Sequence, residues 1–111
     1  MAGFSPAVKR LIIDRDGGAC CRCGKPGTDI HHRRPRGMGG TRRPDTDQPP
    51  NGVLLCRTCH VWVEANRADA TAEGWLVGQS TDPATVPVWR HRSWWLLDDG
   101  GWTATDPTPP F

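Results

Sequence analysis

Three signals follow one another in Asn51-Gly52-Val53-Leu54-Leu55-Cys56-Arg57-Thr58-Cys59-His60. Gly52 to Leu55 is a short apolar run after turn-forming residues, which reads as a strand. Cys56-x-x-Cys59 places two thiols one tetrahedral edge apart, the spacing of a metal knuckle. His60 comes directly after, on a helix expected from near Arg57 through Trp62, Val63 and Glu64 to about Arg67. Upstream, Cys20-x-x-Cys23 has the same spacing, and 32 residues separate the two pairs. Two knuckles complete a shell of four soft ligands with no open position, which predicts a structural Zn2+ site made by Cys20, Cys23, Cys56 and Cys59. Such a site contributes about 10–16 kcal/mol of apparent binding free energy. Cys21 is the odd cysteine. Its spacing to Cys23 is C-x-C, a poorer knuckle, so it is read as a free thiol. The alternative is a set of unrelated free thiols.

The need for such a staple is visible in the composition. The chain has 111 residues, enough for one domain, but only 36% are hydrophobic, with 13 Gly and 11 Pro. The core is therefore modest and the elements short, tied together by more than apolar burial. No apolar run approaches the roughly 18 residues of a membrane span, so no membrane partner is expected. Met-Ala-Gly-Phe-Ser-Pro lacks a basic region followed by an apolar stretch, so no signal peptide is expected either. A cytoplasmic chain is the default, and five cysteines in a reducing compartment more often mean metal than disulfides.

Working outward, Ser5-Pro6 predicts a helix N-terminus, with Val8, Leu11 and Ile12 on one face and Gly17-Gly18 as the stop. Thr28 to Arg33 reads as a short strand. Pro35 to Pro50 holds four prolines and three glycines and reads as a long ordered loop. A further helical turn is expected around Ala68 to Glu73. Short strands are expected at Trp75-Leu76-Val77, Val86 to Trp89, Trp94 to Leu97 and Trp102 to Ala104. Asp98-Asp99-Gly100-Gly101 is a hairpin turn. Trp75, Trp94, Trp95 and Trp102 are read as core cover or cross-strand pairs. The fold class is a small zinc-stabilised α+β domain. Residues 1–78 carry the helix and the zinc site; residues 79–111 form a Trp-rich β extension of the same unit, with a Pro-rich end.

Net charge is +2, but residues 1–60 carry eleven Lys/Arg against five Asp/Glu, and residues 61–111 carry three against seven. Arg33, Arg34, Arg36, Arg42 and Arg43 form the densest basic stretch. Such a patch suits the phosphates of nucleic acid, although a solvated basic loop would look the same.

Asp29-Ile30-His31-His32-Arg33-Arg34-Pro35-Arg36, Gly39-Gly40, and Asn51 to His60 together resemble the HNH endonuclease family. The resemblance covers roughly residues 5–77, and the two knuckles match the subgroup with a four-cysteine zinc. It implies a ββα-metal, treble-clef-like core and metal-dependent hydrolysis of DNA phosphodiester bonds. By the same resemblance His32 is the general base, and Asn51 braces the loop and orients it. His60 and His31 are ligands of a catalytic divalent metal, Mg2+ or Mn2+, with Ni2+ or Zn2+ as alternatives. The tail is similar to extensions of small bacteriophage and actinobacterial members, which implies a role in phage DNA packaging or processing, with terminase or other packaging proteins as partners. A monomer or weak dimer is expected.

The chemistry suits those residue types. A neutral imidazole can deprotonate water near neutral pH, and a divalent metal neutralises the phosphate and the leaving oxygen. One departure stands out. Many relatives carry a further His four residues after His60, where this chain has Glu64. Residues four apart share a helix face, so Glu64 is a candidate third ligand; a solvated helical Glu is the plain alternative. The rival function is a zinc module that binds DNA without cutting it. It would leave His31, His32, Asn51 and His60 without a shared purpose.

Overall fold

The computed structural model describes residues 3–35 and 44–105. Helix α1 (Pro6–Arg15) starts where Ser5 accepts the N–H of Val8 and Pro6 occupies the first turn, and it ends before Gly17 and Gly18, both in the left-handed region. Strands β1 (Asp29–His32) and β2 (Gly52–Leu55) pair antiparallel, with His31 opposite Val53 and His32 opposite Gly52. Helix α2 (Arg57–Ala65) follows at once, capped by the Cys56 sulfur. A break at Asn66 separates it from α3 (Arg67–Ala72), the further helical turn expected around Ala68 to Glu73, so α2 ends two residues short of Arg67. Strands β3 (Val88–Arg90), β4 (Ser93–Leu97) and β5 (Trp102–Ala104) make a second antiparallel sheet. The result is a small α+β domain with two sheets. No helix of the described residues is long and apolar enough to cross a membrane.

Strand alternation gives the β1–β2 hairpin two faces. Ile12 of α1 and Phe4 crowd Gly52 on one side. Val53 and Leu55 look the other way into a core with Cys59, Val63, Ala70, Trp75 and Leu76. Val88 and Leu97 belong to that core and Trp102 packs on it, so the Trp-rich extension shares the interior of the rest. Asp16 ties the layers together: it takes a bidentate pair from Arg15 and accepts the Leu54 N–H of β2 and the Trp102 indole N–H of β5.

Two expectations need correction here. Trp75-Leu76-Val77 is not a strand. Gly74 in the left-handed region turns the chain, the N–H groups of Trp75 and Leu76 return to the Ala70 carbonyl, and all three side chains are buried. The basic stretch predicts phosphate contacts for Arg33 and Arg34, but both are 0% exposed. The Arg33 guanidinium donates to the carbonyls of Gly74, Pro50, Pro83 and Val86 at 2.8–3.0 Å. Arg34 donates to the Thr81 carbonyl and the Thr46 hydroxyl. These cations are spent on backbone that the irregular segments leave unpaired, and they present nothing to a polyanion. Arg36, Arg42 and Arg43 lie outside the described residues.

Arg33→Ala should therefore destabilise the fold by at least about 3 kcal/mol, because several buried carbonyls lose their donor at once. Denaturant unfolding of the purified variant measures this; a loss below about 1 kcal/mol would contradict the structural role.

Candidate functional site

The first knuckle is made by backbone. Cys20 N–H bonds to Lys25 O, Gly24 N–H returns to Cys20 O, and Gly24 takes the left-handed conformation that closes the turn. The second knuckle sits on the first turn of α2, where Cys56 accepts the Cys59 N–H at 3.4 Å. The four sulfurs of Cys20, Cys23, Cys56 and Cys59 lie within 4.8 Å of one another, with Cys23 and Cys56 at 3.7 Å. A tetrahedral zinc with sulfurs at about 2.3 Å spaces them by about 3.8 Å, so the cluster can hold a zinc. Burial alone would raise the Cys20 thiol, but the N–H groups of Cys56, Cys23 and Arg22 bring it down to about 7. Cys59 is pushed up to about 12 by burial, against a hydrogen bond from Arg22. Crowded thiols resist joint ionisation, and a divalent cation removes that resistance. Cys21 stands outside the cluster, and burial and Asp16 push its thiol up.

A second cluster lies between β1 and α2. Asp29 and His31 share one face of β1, and both meet His60. His60 Nδ1 bonds to Asp29 Oδ2 at 2.8 Å, which puts the proton on Nδ1 and leaves the lone pair on Nε2. That hydrogen bond, with Arg57 at 3.2 Å adding to it, holds the Asp29 carboxyl below its ordinary value. His31 is 3% exposed, and its Nε2 donates to the Trp75 carbonyl at 2.8 Å, so its lone pair is on Nδ1. Burial first, and then the neighbouring His60, pull the His31 imidazole down to about 4 despite the Trp75 carbonyl. One helical turn beyond His60 stands Glu64, exposed and paired through one oxygen with Arg67 at 2.7 Å. Ligand atoms of His31, His60 and Glu64 all lie within 4.8 Å of one another. That proximity makes the three residues a candidate site for one divalent ion. Asp29 and Trp75 O play the part that outer partners of metal-bound histidines play, fixing ring and tautomer.

His32 is not in that cluster. It projects from the opposite face of β1, where its ring stacks on Phe4 with centroids 4.0 Å apart and planes at 15°. Its Nε2 meets Asp47 Oδ1 at 2.9 Å. It lines an open cavity of about 730 Å3 with Phe4, Lys9, Thr28 and Ile30. Asn51 is fully buried and uses its whole amide: Oδ1 accepts the Arg34 N–H at 2.7 Å, and Nδ2 donates to the carbonyls of Arg34 and Thr46. It thus clamps the two ends of the loop, one residue from Asp47. Asp29 could have been found from its i, i+2 relation to His31. Asp47 and the Trp75 carbonyl had no signal, because both act from irregular segments.

Comparison with protein-family models, with curated proteins and with solved structures finds no match to this chain. The chemistry of the site must speak from its own geometry.

Two outcomes follow. Cys56→Ser with Cys59→Ser should release one equivalent of zinc and unfold the domain, while Cys21→Ser retains the metal; elemental analysis and circular dichroism read both. Imidazole 15N spectra should show His31 with its proton on Nε2 and titrating near 4, and His60 with its proton on Nδ1. Because the folded His31 holds fewer protons than the unfolded one below pH 6.5, stability from this group is full above 6.5. It is lost as pH falls toward 4, to about 3 kcal/mol in total. A His31 that titrates near 6.5 would refute its burial.

Proposed function

We propose that the chain is a metal-dependent endonuclease of the HNH type that hydrolyses DNA phosphodiester bonds. One observation carries the reading. The imidazoles of His31 and His60 are held by the Trp75 carbonyl and by Asp29, and a ring nitrogen of each lies with a Glu64 carboxylate oxygen within 4.8 Å of one another. A module that only binds DNA has no use for such a cluster.

His31, His60 and Glu64 would hold the catalytic ion. The chemistry such an ion, Mg2+ or Mn2+, would supply there is charge neutralisation at the phosphate and the leaving oxygen. His32 takes the proton of the attacking water at Nδ1, while Asp47 engages Nε2 and Phe4 fixes the ring plane. Asn51 keeps the loop that carries Asp47 at a fixed distance from β1. One site per chain suits nicking by a monomer or weak dimer. A place in phage DNA packaging or processing, beside terminase in a bacterial cytoplasm, rests on the family resemblance alone.

Plasmid relaxation in Mg2+, Mn2+, Ni2+ or Zn2+ tests the reading. His60→Ala and His32→Ala should each lower the rate by at least about 100-fold, with the structural zinc and the fold intact. Cutting at the wild-type rate by a folded His60→Ala variant would overturn it. Glu64→Ala should raise the metal concentration needed for half-maximal cutting, and Glu64→His should shift preference toward Ni2+ or Zn2+, since imidazole is the softer ligand. Superimposable titrations would remove Glu64 from the metal.

A further inference from the structure

With Arg33 and Arg34 buried, a DNA-binding chain needs another surface, and the β3–β4 hairpin has the features of one. Its tip is a tight turn with Arg90 opposite Ser93 and His91-Arg92 as the two central residues. Both central residues are in the left-handed region, at φ 52° and 63°. Turns of this kind favour Asn-Gly, because side chains are strained there. This sequence instead places a histidine and an arginine at the strained positions, and both are exposed. Strain kept at a protruding tip is a mark of use rather than of stability.

The surroundings name the partner. From Val86 to Leu97 there is no acidic residue. Arg90 turns inward over the Trp102 ring, 4.2 Å from its centroid. Arg92 makes no hydrogen bond or ion pair with the described residues. Beside the tip, Trp89 is 38% exposed and leans on Trp94 with centroids 5.1 Å apart. An exposed guanidinium and a part-exposed indole on one short hairpin suit a phosphate and an unstacked base. The hairpin is also rooted at the metal cluster. Trp89 N–H bonds to the Glu73 carbonyl, two residues before Trp75, whose own carbonyl holds His31.

We propose that the β3–β4 hairpin is a DNA-binding surface of this chain, with Arg92 and His91 on the phosphate backbone and Trp89 stacked on a base of a single-stranded or locally opened segment. The DNA partner rests on the nuclease reading, but the surface is tested by binding and not by cutting.

The zinc-loaded full chain, with no catalytic metal added, is titrated into a fluorescein-labelled single-stranded oligonucleotide and its duplex. Trp89→Ala should weaken single-strand binding at least about fivefold and affect the duplex less. The double substitution His91→Asn with Arg92→Gly supplies the residues that the turn prefers. It should raise Tm by a few degrees and yet lower affinity, with a salt slope reduced by about 0.7 for the single strand. That opposition of stability and binding is what a purely structural hairpin would not produce. A stabilised double variant with wild-type affinity and slope would overturn the proposal, as would wild-type affinity in Trp89→Ala. Hairpin variants that lose binding in a chain that never cuts would sustain the surface and refute the nuclease. Undiminished binding by hairpin variants of a chain that does cut would do the reverse.

Discussion

A guanidinium removed from water holds this molecule together. Arg33 follows β1 directly, and its side chain is met by carbonyls from the turn before β2, from the end of α3, and from the segment that leads into β3. Burial, with Arg15 as a second cation nearby, pulls it down to about 9, so it remains charged at neutral pH. A buried charge is tolerated only when its donors are satisfied. The three segments must therefore arrive together, and the folding of the extension is coupled to that of the β1–β2 hairpin. Asp16 does the same from the other side, with opposite charge, between α1, β2 and β5.

That rigidity serves the histidines. The Trp75 carbonyl can fix the His31 ring only because Gly74, Trp75 and Leu76 have a set course, and Arg33 holds that course through the Gly74 carbonyl. Asp29 reaches His60 because α2 begins at the knuckle cysteines, one residue after β2. If the four sulfurs hold a zinc, the metal fixes the start of that helix and thereby the azimuth of His60 and Glu64.

The sequence was most legible where local rules govern. The Ser5 cap, the β2 run from Gly52, the two knuckles, the Asp98–Gly101 turn and the helical spacing of His60 and Glu64 all appear where residue type and period place them. It was least legible where a long-range partner decides. Arg33 and Arg34 sit in a dense basic stretch, and nothing in the stretch itself shows that carbonyls some forty to fifty residues away consume them. Trp75-Leu76-Val77 has the composition of a strand, but its N–H groups go to the Ala70 and Arg33 carbonyls without forming a ladder, and burial rather than strand pairing explains its apolar character. Asp47 and Phe4 reach His32 through tertiary packing that no spacing rule encodes.

The two faces of β1 have a consequence for how this chain can vary. His31 and His32 are neighbours in sequence, yet one is sealed against α2 and the other stacks on Phe4 beyond α1. What assigns each its environment is parity along the strand, set by the pairing of His31 with Val53 and of His32 with Gly52. A slip of one residue would exchange the two imidazoles wholesale. Side chains in β1 and β2 can vary within that register, but a single-residue insertion or deletion inside Asp29–His32 that shifted it would exchange the two environments.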